Sequence, residues 1–413
     1  MISMIKKIKQ THASRIKLQQ TSSKSINNFL QDFSNQLEAQ AAAIIRANKK
    51  DLIKMDPSNS LYDRLLLNED RIRQIAGAVR KVKKLTDPCG KILEKRKLES
   101  GILLEKKTAP LGVVAAIFES RPNVVADISA LCIKSRNAAV LKGSKDADNT
   151  NRAIISIIHQ MLKKNNLPVE LILLLPPERE IVNELFTATR YIDVIIPRGS
   201  NNLIQHVRAN SRVPVIETGA GVCHAYIHKD ADLEMGVNIV FNGRTSRPSV
   251  CNSIDSILVD EQIASKFLPL LAKALKEKQV EIYADKTSYG ILKSYPYLRK
   301  ASKEDYYREF LSLACVVKVV KDQDEAMAHI EEHGTRHSEV IITKNNKAAD
   351  RFLEFVDAAT VYHNASTRFT DGEEFGLGAE VGISTQKLHA RGPFALEKLV
   401  TEKWVLKGNG EIR

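Results

Sequence analysis

The sequence predicts an α/β protein with two doubly wound, largely parallel sheets and a charged β-hairpin that belongs to neither. Three observations predict it. Short unbroken apolar runs, residues 112–118 and 254–259 among them, have the length and character of strands buried on both faces. Between such runs the apolar residues recur at helical spacing, so strand and helix alternate along the chain. Gly, Ser, Arg and Asn gather just after the runs, at the carboxyl ends of the predicted strands, where open α/β sheets bind their ligands.

Taken in order, residues 24–52 carry Ile26, Phe29, Leu30, Phe33, Leu37, Ala41, Ile44 and Ile45 at helical spacing and predict one core-facing helix. The first 31 residues lack acids and hold six basic residues, a faint resemblance to a transit peptide. We read them as the solvated start of that unbroken helix. A second helix spans 68–85 and stops before Thr86-Asp87-Pro88-Cys89-Gly90. Residues 92–97 and 102–107 form the hairpin, turning at Glu99-Ser100-Gly101; it is too small to hold a core and needs a surface to lean on. The first lobe then predicts strands at 112–118, 138–141, 171–175, 194–196 and 215–216, with helices at 124–134, 149–164, 178–189 and 201–209. The second predicts strands at 225–227, 254–259, 316–320 and 340–342 and helices at 233–241, 263–278 and 324–332. A final strand at 403–406 has the right character to pair with the hairpin.

Composition narrows the partners. The 413 residues carry 62 Lys and Arg against 49 Asp and Glu, a net charge of +13, which suits an anionic partner: a nucleotide cofactor, a phosphorylated substrate or a nucleic acid. No basic block and no basic run interleaved with aromatics is present, which argues against nucleic acid. Five scattered cysteines, an odd number in a long chain, fit a reducing compartment, read as cytoplasmic, better than a disulfide framework. No apolar run approaches the length of a membrane span.

Arg247-Pro248-Ser249-Val250-Cys251-Asn252 is the stretch with the strongest chemical character. Pro248 blocks helix continuation and Ser249 favours a turn, which places Cys251 on a loop entering strand 254–259. A buried structural thiol is the plain alternative to a nucleophile there. Other polar groups follow predicted strands: Glu119-Ser120-Arg121-Pro122-Asn123, Lys142-Gly143-Ser144-Lys145, Pro197-Arg198-Gly199-Ser200 and Glu217-Thr218-Gly219-Ala220-Gly221. The dinucleotide fingerprint GxGxxG is absent, since His224 stands where its third glycine would be. His329, His333 and His337 fall at four-residue steps, but Gly334 should end the helix between them and no further ligand completes a metal set. They are read as solvated helix histidines, and no metal is expected. The glycine- and acid-rich stretch 369–382 is a loop of functional length.

Several of these segments together resemble one family. Phe118-Glu119-Ser120-Arg121-Pro122-Asn123, Val215-Ile216-Glu217-Thr218-Gly219, Arg247 to Asn252, Asn364-Ala365-Ser366-Thr367-Arg368-Phe369-Thr370 and the closing Gly382-Ile383-Ser384-Thr385-Gln386-Lys387-Leu388-His389-Ala390-Arg391-Gly392 are similar to the gamma-glutamyl phosphate reductases of the aldehyde dehydrogenase superfamily. The resemblance runs from about residue 15 to the end. It implies an aldehyde-dehydrogenase-like fold with an NADP-binding domain (1–90 and 110–222), a catalytic domain (223–399) and an oligomerisation arm (91–109 and 400–413). It implies the second step of proline biosynthesis from glutamate: NADPH-dependent reduction of L-glutamate 5-phosphate to L-glutamate 5-semialdehyde and phosphate. A homo-oligomer and a functional coupling to glutamate 5-kinase are further implications.

Within that resemblance Cys251 is the nucleophile that exchanges phosphate for a thioester. Its own N–H and the amide of Asn123 hold the oxyanion, and Glu217 adjusts protonation or holds structure. Lys142, Gly143, Ser144 and Lys145, with Gly199, Ser200, Gly219 and Glu309, are implied for the cofactor, Lys142 and Lys145 facing a 2′-phosphate. For the substrate, Arg121 and Arg247 are candidates for the phosphate, and Arg368, Ser384 and Thr385 for the amino-acid end. Three positions depart from the family pattern: Arg136 in place of a glycine, Ser144 in place of the second glycine after Lys142, and Val222 in place of an asparagine. Two alternatives stay open: an NAD(P)-dependent aldehyde dehydrogenase of the same superfamily, and a catalytically inactive, basic, nucleic-acid-binding relative.

Overall fold

Every residue of Val113–Phe118 is buried, because helices cover both faces of the sheet in which it is central. The computed structural model describes residues 4–56, 62–178 and 180–413. The chain divides into two compact units: one of residues 1–218, 376–382 and 393–413, the other of 219–375 and 383–392. Among the described residues no helix is long and apolar enough to cross a membrane.

In the first unit four parallel strands stand in the order Ile172–Leu174, Ala138–Lys142, Val113–Phe118, Val194–Arg198. The chain starts at Val113–Phe118, steps outward twice, then returns to its other side. Strand order therefore reverses between Val113–Phe118 and Val194–Arg198, a topological switch point. Asn123–Lys134, Asp148–Lys164 and Ile181–Thr187 are the crossover helices, and Asn201–Asn210 follows the last strand.

The N-terminal segment differs from its sequence reading. Met4–Gln19 is a separate helix with Ile8, Thr11 and Leu18 buried, and the chain breaks before Ser22, whose hydroxyl caps the next helix by accepting from the Ser25 N–H at 3.2 Å. The long helix also divides, into Ser23–Ala39 and Ala41–Leu52, at Gln40. That break turns a second polar-apolar face inward. Asp51, fully buried, accepts from the Thr150 N–H at 2.8 Å and its hydroxyl at 2.7 Å, so it caps Asp148–Lys164 from a distance. The expected strand at 215–216 shrinks to a single bridge between Val215 and Ile195, because Pro214 beside it offers a carbonyl but no N–H.

The charged hairpin is present as Ile92–Lys97 and Leu103–Pro110, with Gly101 at φ +92° in its turn. Val400–Lys407 pairs antiparallel with Leu103–Pro110 and completes a three-stranded sheet. Ile92, Leu93, Trp404 and Leu406 are exposed on it.

In the second unit seven parallel strands run in the order Leu298–Lys300, Glu281–Ala284, Ala314–Val320, Ile254–Asp260, Cys223–Ile227, Ser338–Ile342, Thr360–His363. Ile257, Val259, Phe267, Leu271 and Val317 lie in its core against Glu261–Lys276 and Leu233–Thr245. The strands missed from sequence, Leu298–Lys300, Glu281–Ala284 and Thr360–His363, are three or four residues long and lie at or next to the sheet's edges. Helix Asn346–Phe355 was missed as well.

Candidate active site

Helix Leu233–Thr245 ends two residues before Arg247, whose helical conformation Pro248 disfavours. The following loop is fixed from beneath by Arg244, which is fully buried and donates to the carbonyls of Pro248 at 2.6 Å and Ile254 at 2.9 Å and to the carboxylate of Asp255 at 2.5 Å. From the side, Asn252 Nδ2 donates to the Thr370 carbonyl at 2.9 Å, and the Thr367 hydroxyl donates to the Asn252 carbonyl at 2.6 Å. Cys251 is left half-buried on a turn held at both ends. The loop position expected from Pro248 and Ser249 is the one observed.

The carbonyl of Cys251 points inward. It accepts from the Cys223 thiol at 3.2 Å, and a Cβ on Gly221 would lie 1.5 Å from it, so only glycine fits there. The Gly221 N–H donates to Glu309 at 3.1 Å, and the next residue, Phe310, donates its N–H to Asp255 at 3.1 Å. Cys251, Gly221 and Glu309 thus come together, with Arg244 and Asp255 joining the nucleophile loop to the Glu309 segment. Burial pushes the Asp255 carboxyl up to about 7 against the opposing pull of Arg244. Burial likewise drives the Cys223 thiol far above the usual range, which leaves it a structural donor rather than a nucleophile.

Arg368 reaches across the same loop. Its Nε donates to the Ser246 hydroxyl at 3.2 Å and its Nη1 to the Asn252 side-chain oxygen. Arg247 is exposed on the loop itself. Thr385 lies against Gly219, where a Cβ would come within 2.8 Å of its hydroxyl. Ser384 is fully buried and its hydroxyl accepts from the Gln386 N–H at 3.3 Å, so it shapes the turn.

The first unit holds the remaining candidates. Asn123 opens helix Asn123–Lys134, and its amide donates to Asp127 one turn on at 2.9 Å. Burial raises the Asp127 carboxyl to about 6, opposed by Asn123 and Arg198. Glu217 pairs with Arg208 at 3.4 Å. Lys142 is buried at the end of its strand, and its ammonium donates to the carbonyls of Pro177 at 2.9 Å and Gly143 at 3.1 Å. Gly143 has no room for a side chain, since a Cβ would lie 2.4 Å from Asn151 Nδ2. Ser144 accepts from the Ser120 N–H at 3.3 Å, and Lys145 is exposed. Arg121 is half-buried and its carbonyl accepts from the Val124 N–H in the turn that starts the helix.

At Gly199 and Ser200 the structure adds a residue that sequence reasoning passed over. Glu119 accepts from the Ser200 N–H at 2.7 Å and would lie 2.4 Å from a Cβ on Gly199, so its carboxylate fills the N-terminus of helix Asn201–Asn210 at the switch point. The signal was available: an acid one residue past the first strand of the sheet.

The sequence matches the aldehyde dehydrogenase family over residues 5–302. It is 51% identical over 395 residues to a gamma-glutamyl phosphate reductase from Chlorobium luteolum, an alignment covering 95% of this chain and 94% of that one. The chain belongs to this family. A crystal structure of gamma-glutamyl phosphate reductase from Thermotoga maritima superposes with a TM-score of 0.94 at 38% identity, covering 99% of both chains. The fold also matches that of an engineered glycolyl-CoA reductase with bound NADP+, with a TM-score of 0.70 at 14% identity over 98% of this chain and 96% of that one. Membership makes the protein an oxidoreductase of proline biosynthesis with the aldehyde-dehydrogenase-like fold.

Two departures from the family pattern acquire physical roles. Arg136 sits at φ +59°, the conformation a glycine takes without cost, and its guanidinium holds Asp87 at 2.7 Å, the Ser23 hydroxyl at 3.1 Å and the Thr21 carbonyl. It lies before strand Ala138–Lys142, at the end of the sheet opposite the carboxyl termini. The Val222 N–H donates to the Thr335 hydroxyl at 2.9 Å. One expectation is corrected: His329 and His337 are buried, not solvated. His329 packs edge-on against His224 and Tyr306, burial pushes it down to about 2, and His337 bonds to the Ser338 hydroxyl at 2.9 Å. The helix does end at Gly334, but His329 shares its buried face with Gln323, Ala326 and Ile330, and the rings of His224 and Tyr306 receive it there. Among the described residues no group of three or more His, Cys, Asp and Glu could hold a metal ion.

Proposed function

We propose that the protein reduces L-glutamate 5-phosphate with NADPH through a thioester on Cys251, releasing phosphate and L-glutamate 5-semialdehyde. The observation that carries this reading is the Cys251 loop: a half-exposed thiol on a turn clamped by Arg244, Asn252 and Thr367, with Arg247 exposed on the loop and the Arg368 guanidinium bonded across it. An acyl phosphate suits such a site. The sulfur bonds to the acyl carbon, the carbon–oxygen bond breaks, and phosphate leaves with the electron pair. The N–H of Cys251 and the Asn123 amide are assigned to the oxyanion of the tetrahedral species. Glu217 is assigned a structural role, which its pairing with Arg208 supports, because activating water against a thioester would waste the substrate.

The donor set fits an anionic dinucleotide. Lys142 and Lys145 supply positive charge at the carboxyl end of a parallel strand, Gly143 keeps the backbone bare there, and Glu309 offers a carboxylate to ribose hydroxyls. Gly199, Ser200, Ser144 and Gly219 complete the cofactor assignment. NADPH, when bound, supplies the hydride that converts the acyl group to the aldehyde. Arg121 and Arg247 are assigned to the phosphate and Thr385 to the amino-acid end of the substrate. Ser384 is retained there only through its turn.

The domains proposed are 1–90 with 110–222 for the cofactor, 223–399 for catalysis, and 91–109 with 400–413 as an oligomerisation arm. Exposed Ile92, Leu93, Trp404 and Leu406 on the arm support a homo-oligomer, and five cysteines scattered along a long chain support a cytoplasmic setting.

The test is the reverse reaction: the purified protein with glutamate semialdehyde and NADP should form NADPH only when inorganic phosphate is present. Equal rates without phosphate would make it an aldehyde dehydrogenase. Absence of NADPH binding together with salt-dependent retention on nucleic acid would favour the inactive relative.

A further inference from the structure

We propose that Arg247 and Arg368 form one two-guanidinium clamp that holds the phosphoryl group of the substrate against Cys251, so that Arg368 serves the phosphate rather than the distant amino-acid end. The proposal rests on the acyl-phosphate reading above and assigns a specific ligand group within it.

The geometry begins with what anchors Arg368. Its Nε is bound to Ser246, the residue before Arg247, and its Nη1 to Asn252, the residue after Cys251. The side chain therefore lies along the stretch from Arg247 to Cys251 and is fixed at both ends of it. Its own backbone is tied to the same loop, since Asn252 Nδ2 donates to the Arg368 carbonyl at 3.3 Å. Among the described residues neither Arg247 nor Arg368 has a carboxylate within ion-pair distance. Burial and the neighbouring charge of Arg247 both pull the Arg368 guanidinium down from its usual range, with Asp371 and Cys251 acting the other way.

Arg368 bonds Ser246, the neighbour of Arg247, so the two positive charges belong to one loop; among the described residues neither is in a direct ion pair, and an arriving dianion relieves their mutual repulsion. Phosphate offers close to two negative charges and several acceptor oxygens, which match a pair of planar forks better than a single carboxylate does. The substrate's own connectivity selects the same answer. Its reacting carbon carries the phosphate oxygen directly, whereas the α-carboxylate lies at the far end of the carbon chain. A cation anchored to the residues flanking the nucleophile meets the leaving group first.

Alkylation of Cys251 tests this without turnover. The whole protein, free of cofactor, is treated with iodoacetamide at several inorganic phosphate concentrations, and labelling of the Cys251 peptide is followed by mass spectrometry. Phosphate should slow labelling saturably in the wild type. In Arg247→Ala and in Arg368→Ala the half-protecting concentration should rise by about tenfold or more, the loss expected for one charge-assisted contact. Arg368→Lys keeps the charge but not the fork and should fall between. In the reverse assay the same variants should raise the KM for phosphate by a similar factor and that for semialdehyde by much less. Absence of phosphate protection in the wild type overturns the proposal. So does an Arg368→Ala protein, folded by circular dichroism, whose phosphate dependence is normal while its KM for semialdehyde rises. If Arg368→Ala does not fold, Arg247→Ala and Arg368→Lys decide. Protection by phosphate without phosphate-dependent semialdehyde oxidation would instead sink the reaction and leave the clamp standing.

Discussion

Replacing Arg244 by methionine removes one side of a fully buried ion pair: Arg244 is 0% exposed, Asp255 2%, and their charged atoms lie 2.5 Å apart. Methionine fills much of the volume but none of the three hydrogen bonds to Pro248, Ile254 and Asp255. Breaking a buried pair from one side costs about 3–5 kcal/mol, because the remaining charge is left without compensation. Asp255 has an escape, however, since it can take a proton. Its carboxyl already sits at about 7 against an ordinary 3.8, and loss of Arg244, which lowers it, moves it higher still.

The sign of the pH dependence follows. A raised folded-state value means that the native protein binds the proton that the unfolded chain releases, so this group's contribution to stability falls as pH rises, from about 3.8 to about 7 in the wild type, and is level above. In Arg244→Met the fall continues past pH 7 at about 1.4 kcal/mol per pH unit. The gap between wild type and variant should therefore widen from pH 7 to pH 9. Urea titrations at pH 6, 7, 8 and 9, read by hydrogen exchange of peptides covering Ile254–Asp260, measure it, and adding Asp255→Asn to the variant should remove the widening. A gap under about 1 kcal/mol at pH 8, or one that does not change with pH, would refute the ion-pair argument.

Cys251→Ala should abolish turnover and leave NADPH binding nearly intact by fluorescence titration; more than a trace of residual activity would remove Cys251 from the chemistry. Lys142→Ala should weaken NADPH more than NADH, and equal losses would place its ammonium on a part both cofactors share. Asp127→Asn deletes a carboxyl raised from 3.8 to about 6, so the stability of the wild type relative to the variant should drop by about 2 kcal/mol between pH 4 and pH 6, a drop that thermal melts across that range would show or deny.

How much of this was legible in the sequence depended on how local the cause was. Val113–Phe118 and Ile254–Asp260 declare themselves because a strand buried on both faces must be apolar at nearly every position. The hairpin turn declares itself through Gly101, and the partner strand Val400–Lys407 in part, as residues 403–406 with the apolar Trp404, Val405 and Leu406. Thr360–His363 and Leu298–Lys300 stayed hidden because an edge strand of three or four residues is paired on one side only and needs no apolar run. The site divides in the same way. Pro248 and Ser249 put Cys251 on a loop by local stereochemistry, whereas what holds that loop rigid is read only in three dimensions.

Arg244 and Arg136 make the reason concrete. Each is an arginine in a stretch where charge reads as solvent-facing, and each is instead a multiple donor joining segments distant in the chain or pinning a loop. A guanidinium has five N–H groups in a fixed plane, so one side chain can satisfy several inward-facing carbonyls at once, and burying it costs least where those acceptors already point inward. The sequence shows the donor but not the acceptors, because these are backbone carbonyls that any residue carries. Arg136 even takes the φ of a glycine, its two neutral contacts and its pair with Asp87 opposing the backbone strain. A residue that breaks a local rule and forms several long-range bonds is therefore where the positioning of this fold should be sought, and in the second unit that search leads to Arg244, directly beneath the nucleophile loop.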